Sequence, residues 1–226
     1  MKKQLYWLFP IISLLLFVIW TVLLLVVDVQ DIAGISQLGF STLNLKFNNF
    51  VHDLGNSLFG IFSDVLLYAS FATVVPFAII GVTQLVKRKS LLKVDRYIYF
   101  MLLGYVLAVV FYFLFNLVVV NYSPNSSAGG LKPSYPSSHV LLAVSFYLIA
   151  YMGFNKYASA SYMLKMVVFG ASCGIAFITV LTRAFSGEHY LSDIIGGLLL
   201  AIFIILLVFT LFTLENKRLE EVESHD

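Results

Sequence analysis

Residues 181–214 read LTRAFSGEHYLSDIIGGLLLAIFIILLVFTLFTL, and this stretch decides the class of fold. Residues 191–214 contain a single ionisable group, Asp193. About 20 apolar residues are enough to cross the hydrocarbon core of a bilayer, so the run reads as a membrane span. Immediately before it come Thr182-Arg183, then five residues, His189, then three residues, Asp193. Ionisable groups at the end of a span are costly to hold there, and a cluster of them marks a site.

Composition supports the same class. Of 226 residues, 60% are hydrophobic and 12% charged, with mean hydropathy +0.93. A water-soluble domain of this size has too little surface charge at such a composition and too much apolar area to hide. Five further stretches read as spans: 6–27, 65–86, 97–120, 139–154 and 163–181. The fourth and fifth are short, with Lys156 and Lys165 placed to snorkel at their ends. The run 6–27 is longer than a signal-peptide core and has no small-residue cleavage pattern before Asp28, so it reads as a retained first span. The expectation is an all-α, polytopic, six-span chain forming one domain over 1–226. Cys173 lies in an apolar run and reads as a small buried hydrophobe.

Basic residues give the sidedness. With the N-terminus in the cytoplasm, Lys2, Lys3, Lys87, Arg88, Lys89, Lys93, Arg96, Lys156, Lys165, Lys217 and Arg218 all lie inside, leaving Lys46, Lys132 and Arg183 outside. Both termini are then cytoplasmic, and loops 121–138 and 182–190 face the exterior. The net charge of +2 reflects this segregation and carries no nucleic-acid affinity. In the first outer loop, 28–64, Leu43, Phe47, Phe50, Val51, Leu54, Leu58 and Phe59 recur at helical spacing, which predicts one amphipathic helix lying in the interface. The tail 215–226 reads as a solvated charged end.

The polar clusters suit phosphate chemistry. His189 and Asp193 are four apart and share a face if the sixth helix begins near them. The carboxylate can then fix the imidazole tautomer, leaving the other nitrogen free to attack phosphorus. Arg183 offers a planar fork for phosphate oxygens. Pro136-Ser137-Ser138-His139 reads as a turn into a helix N-terminus, where amide groups and a serine hydroxyl form an oxyanion cradle and His139 can protonate a leaving alkoxide. Each piece alone reads as a cap, an interfacial histidine, a headgroup anchor or a helix contact; together on one membrane side they read as a site.

These residues resemble the type 2 phosphatidic acid phosphatase superfamily, membrane relatives of the vanadium haloperoxidases. Its motifs are Lys-x6-Arg-Pro, Pro-Ser-Gly-His and Ser-Arg-x5-His-x3-Asp. The resemblance implies a metal-free six-helix enzyme that removes phosphate through a phosphohistidine, and it covers nearly the whole chain. It makes His189 the nucleophile, Asp193 its orienting acid, His139 the general acid, and Arg183, Ser137 and Ser138 phosphate ligands. Ser138 stands for the motif's glycine and Thr182 for its serine. The first motif is degenerate: Asn116 to Ser123-Pro124 keeps the spacing without the two cations, and Asn125 to Lys132-Pro133 restores one of them. Losing one preorganised oxyanion donor costs about 2.7–4 kcal/mol. Lys132 either replaces part of that charge or is an exposed loop lysine.

The leading expectation is a lipid phosphate phosphohydrolase acting at the outer leaflet of a cell membrane, bacterial by its compact core. Its substrate would be polyprenyl pyrophosphate, phosphatidic acid or phosphatidylglycerol phosphate. The alternative is a lipid-phosphate-binding or regulatory protein on the same fold. A transporter ranks last, because no charged group sits at mid-bilayer. No cofactor is expected: His52, His139, His189 and His225 show no metal-ligand spacing, and Gly129-Gly130 is no nucleotide loop.

Overall fold

The computed structural model describes residues 4–32, 36–53, 57–126 and 130–224. Lys2, Lys3, Leu54, Gly129 and His225, named above, lie outside them. In chain order come α1 (Leu5–Val26), an antiparallel pair β1 (Gln30–Ile32) and β2 (Ser36–Leu38), and α2 (Ser41–Asp53). Then follow α3 (Ser57–Ala72), α4 (Val75–Arg88), a 3-10 turn (Leu91–Lys93), α5 (Arg96–Leu117), α6 (Ser138–Tyr157), α7 (Tyr162–Ala184) and α8 (Leu191–Glu223). Six stretches among the described residues are long and apolar enough to cross a membrane: α1, α3 with α4, α5, α6, α7 and α8. The chain is a predominantly helical integral membrane protein.

Helix α6 is apolar on every face, which is the pattern of a helix enclosed by others. Val140, Leu141, Ala143 and Ile149 on it are fully buried, and α3, α5, α7 and α8 pack around it. Helix α1 lies along α8. Ile12, Leu16, Val82, Phe113 and Val167 point outward, as side chains facing hydrocarbon do. The start of α6, the end of α7 and the start of α8 meet at one end of the bundle. At the opposite end Thr210 Oγ1 donates to the Tyr6 carbonyl (3.1 Å) and the Lys217 ammonium covers the Tyr6 ring (4.9 Å), so the start of α1 lies against the later part of α8 there.

Three expectations about element bounds need correction. The second span begins at Ser57 rather than residue 65, so Asp64 lies inside a helix and not at a loop end. It is interrupted at Thr73-Val74, because Pro76 has no N–H to give and its ring crowds the preceding turn; both residues there bond three back instead of four. The tail is solvated as expected over most of 216–224, but it is helical. Helix α8 continues to Glu223, and Glu215 is buried where it accepts from Arg96 (3.3 Å) and Arg218 (3.0 Å). The amphipathic set falls in two described elements: Leu43, Phe47, Phe50 and Val51 belong to α2, and Leu58 and Phe59 open α3. The inward face of α2 is also more polar than its spacing implied, with Ser41 and Asn44 fully buried beside Val51.

Helix α2 is fixed at its start by Asp28, whose carboxylate accepts from the Thr42 amide (2.7 Å) and the Ser41 hydroxyl (2.9 Å). Those bonds hold the Asp28 carboxyl below the usual carboxylate range. Asn44 then reaches α8, accepting from the Ser192 amide (3.0 Å) and donating to its hydroxyl (2.9 Å). A helix from the segment between the first two spans thereby clamps the residue next to Asp193.

Candidate active site

The start of α8 organises the site. Asp193 is the third residue of that helix, and its carboxylate folds back to accept the Tyr190 amide (3.1 Å), one of the donors that a helix start leaves unpaired. Its other oxygen accepts from Asn121 Nδ2 (3.1 Å). Asp193 is completely buried; these two donors and the positive end of the helix dipole stabilise a charge that would otherwise be costly there. His189 Nδ1 stands 3.7 Å from the same carboxylate. The two residues do not share a helical face, since His189 precedes the helix; the capping geometry brings them together.

Arg183, at the end of α7, faces His189 from the other side. Its Nη2 donates to His189 Nε2 (3.0 Å). A guanidinium has donors only, so Nε2 must be the unprotonated nitrogen and the proton resides on Nδ1, toward Asp193. Arg183 is 5% exposed, yet its Nε and Nη1 have no hydrogen-bond partner. Two carboxylates surround it: Glu188 at 2.8 Å from Nη2 and Asp64 at 3.8 Å from Nη1. Asp64 also accepts from His139 Nε2 (2.7 Å), which ties α3 to the start of α6.

The segment before α6 lies directly on α8. Gly196 and Gly197 make this contact possible. A Cβ on Gly196 would stand 2.7 Å from Tyr135 Cζ, and one on Gly197 would stand 2.7 Å from the Ser137 carbonyl oxygen. Tyr135, 2% exposed, anchors the segment: its hydroxyl pairs with Thr21 (2.6 Å) and its ring stacks on Phe17. Burial raises the Tyr135 phenol above its ordinary value. The Ser137 amide donates to the Asp193 carbonyl (2.9 Å), joining the two clusters through their backbones. The Ser137 hydroxyl is fully buried and has no partner. A small cleft beside it is lined by Asn116, Pro133, Ser138 and His189.

Two polar clusters on separate helices thus converge with the spacing of a phosphatase motif pair, and a family model described as PAP2 superfamily matches residues 67–217, well over half of the chain. The chain belongs to the PAP2 superfamily. Its fold is similar to that of a solved transmembrane PAP2-type phosphatidylglycerolphosphate phosphatase from Bacillus subtilis, with 18% identity, 88% of this chain and 94% of that chain covered, and a TM-score of 0.63. No curated protein matches the sequence.

Of the residues that the PAP2 motifs single out, His139, Arg183, His189, Asp193, Ser137 and Ser138 are brought to one end of the bundle. Asn116, at the position of the motif lysine, lines the cleft, but its amide donates to the Tyr112 carbonyl (2.8 Å). Ser123, at the position of the motif arginine, binds the Glu188 carbonyl (2.8 Å). Lys132 is exposed, and its ammonium makes no ion pair among the described residues. The Thr182 hydroxyl points back into its own helix, to the carbonyls of Ile178 and Thr179. Asp64, Glu188, Asn121, Asn44, Ser192 and Tyr135 were missed by sequence reasoning. Asp64 alone carried a signal, as a lone carboxylate in an apolar helical run. Among the described residues no group of three or more His, Cys, Asp and Glu is placed to hold a metal ion. The larger hollows lie elsewhere; one of about 250 Å³ between α4 and α5 is walled by apolar side chains including Val74, Phe77 and Met101.

Proposed function

We propose that the protein is a lipid phosphate phosphohydrolase working through a phosphohistidine on His189. The observation that carries this reading is the pairing of an unprotonated His189 Nε2 with a buried Arg183 whose Nε and Nη1 lack partners. A phosphate seated on Arg183 places its phosphorus against that lone pair, and Asp193 stabilises the proton that remains on Nδ1. Ser137 Oγ and the unpaired amides in the first turn of α6 supply further donors to the oxygens. His139 protonates the leaving oxygen, and a water then attacks the phosphohistidine with His139 as its base.

The site would lie at the exterior face of a cell membrane, a reading supported by the segregation of basic residues, and the bare six-span core supports a bacterial one. Phosphatidylglycerol phosphate, phosphatidic acid and polyprenyl pyrophosphate are the substrate candidates; the first is supported by the likeness to the Bacillus subtilis phosphatase. The test is phosphate release by purified protein in detergent from these three lipids without added metal, beside His189→Ala. Turnover lost in that variant supports the enzyme.

A second reading is a lipid-phosphate-binding or regulatory protein of negligible turnover. It is favoured by Asn116 and Ser123 standing where the family has cations, each already engaged with backbone. His189→Ala separates the two readings: an enzyme loses its turnover, whereas a binder has no turnover above this control and keeps much of its affinity.

A further inference from the structure

We infer that the lipid phosphate carries its own positive charge beside the phosphate, an ammonium that settles between Asp64 and Glu188. The inference rests on the phosphohydrolase reading and narrows its substrate class. Among the described residues of the site, Arg183 is the one permanent cation, and two carboxylates stand against it, Asp64 and Glu188; a third, Asp193, lies on the other side of His189. Asp193 is committed to Asn121 and the Tyr190 amide, with His189 Nδ1 3.7 Å away. Asp64 and Glu188 are different, with side chains 50% and 45% exposed at the mouth of the site.

Both are held at that mouth. Asp64 belongs to α3 and is bonded to His139. The Glu188 backbone is fixed on two sides, its amide donating to Ser186 Oγ (3.3 Å) and its carbonyl accepting from Ser123 Oγ (2.8 Å). Gly60 on α3 leaves room for the Glu188 carboxylate, since a Cβ there would come within 3.1 Å of Oε1. These acids therefore stay near the guanidinium whatever occupies it.

The donors pointing inward show what arrives. Arg183, 95% buried, leaves Nε and Nη1 without partners, and the fully buried Ser137 Oγ is equally unpaired. An anion on the guanidinium completes its two free nitrogens. When a phosphate takes the fork, Asp64 and Glu188 lose the cation that neutralised them and face a second negative group in a half-dry site. A phosphate without a counter-charge meets repulsion there. An ammonium a few bonds from the phosphate removes it by exchange: phosphate pairs with Arg183, and ammonium pairs with the two carboxylates.

The experiment compares a long-chain 2-amino-alkyl phosphate with its 2-hydroxy counterpart on the full-length protein in detergent with a chelator present. We expect kcat/KM for the amine to be about tenfold higher, the size of one charge-assisted hydrogen bond, with most of the difference in KM. Asp64→Asn with Glu188→Gln should abolish the preference by improving the hydroxy compound. The same preference should appear as binding affinity to His189→Ala, which turns nothing over. Equal or better handling of the hydroxy compound by the unaltered protein, in turnover and in binding, overturns the inference. So does a preference that survives the double replacement, or magnesium raising the hydroxy compound to the level of the amine only when both carboxylates are present. If His189→Ala retains turnover, the phosphohydrolase reading through His189 fails instead, and the binding comparison still decides the question of the ammonium.

Discussion

Gly197→Ala gives a sharp test of how the site is assembled. The added methyl would stand 2.7 Å from the Ser137 carbonyl oxygen, 3.3 Å from its nitrogen and 3.2 Å from Val140 Cβ. Two of these neighbours are backbone atoms that cannot rotate away, so α8 and the segment ending in His139 must separate. Overpacking of this kind costs about 1–3 kcal/mol. The displacement also stretches the bond from the Ser137 amide to the Asp193 carbonyl, which joins the two motifs. A misplacement of about 1 Å between reacting groups costs on the order of 10²-fold in rate, so turnover should fall by roughly that factor while the protein still folds. Gly174→Ala is the control, because nothing stands within 4 Å of a Cβ there and the position is helical; it should gain about 0.5–1 kcal/mol and leave turnover unchanged. Thermal unfolding in detergent and phosphate release measure both effects. Full activity and stability in Gly197→Ala would refute the claim that backbone contact with α8 sets the geometry of the Pro136–His139 segment.

Other outcomes follow from the same geometry. Asn121→Leu removes a donor from the buried Asp193 carboxylate and should cost about 1–3 kcal/mol of stability together with a fall in kcat. Arg183→Lys replaces a fork by a point charge and should lower kcat by about 10²–10³ with the fold intact by circular dichroism. Tyr135→Phe loses the pairing with Thr21 and should cost about 0.5–1.5 kcal/mol in thermal stability with little change in rate. The Asp28 carboxyl titrates lower in the folded protein than in the unfolded chain, so its hold on α2 is fully present above about pH 4 and is lost as pH falls below that. Trp20 stacks on Phe40 next to that cap (5.1 Å), so in a Trp7→Phe background its fluorescence should change on acidification, and Asp28→Asn should remove the change.

Much of the fold was legible because hydrophobic length is a local signal. Six runs of apolar residues gave six spans, and 181–214 alone placed Arg183, His189 and Asp193 at the end of one. What was not legible depends on partners distant in sequence. Asn44 is an unremarkable residue until it meets Ser192, and Asn121 until it meets Asp193. Glu215 reads as the start of a tail, yet Arg96 on another helix helps bury it and extend α8. Asp64 was placed in a loop because a carboxylate normally ends a span; here His139 and Arg183 make it tolerable within one. The proximity of His189 to Asp193 was anticipated for another reason, a shared helical face, when a helix cap produces it.

The central claim is a covalent bond between His189 and phosphorus. The direct measurement is to quench turnover of a radiolabelled lipid phosphate in alkali, where a phosphohistidine survives, and to map the label by peptide sequencing. The account predicts label on His189, lost on acid treatment and absent from His189→Ala. Turnover with no trapped label, or label on another residue, would contradict it.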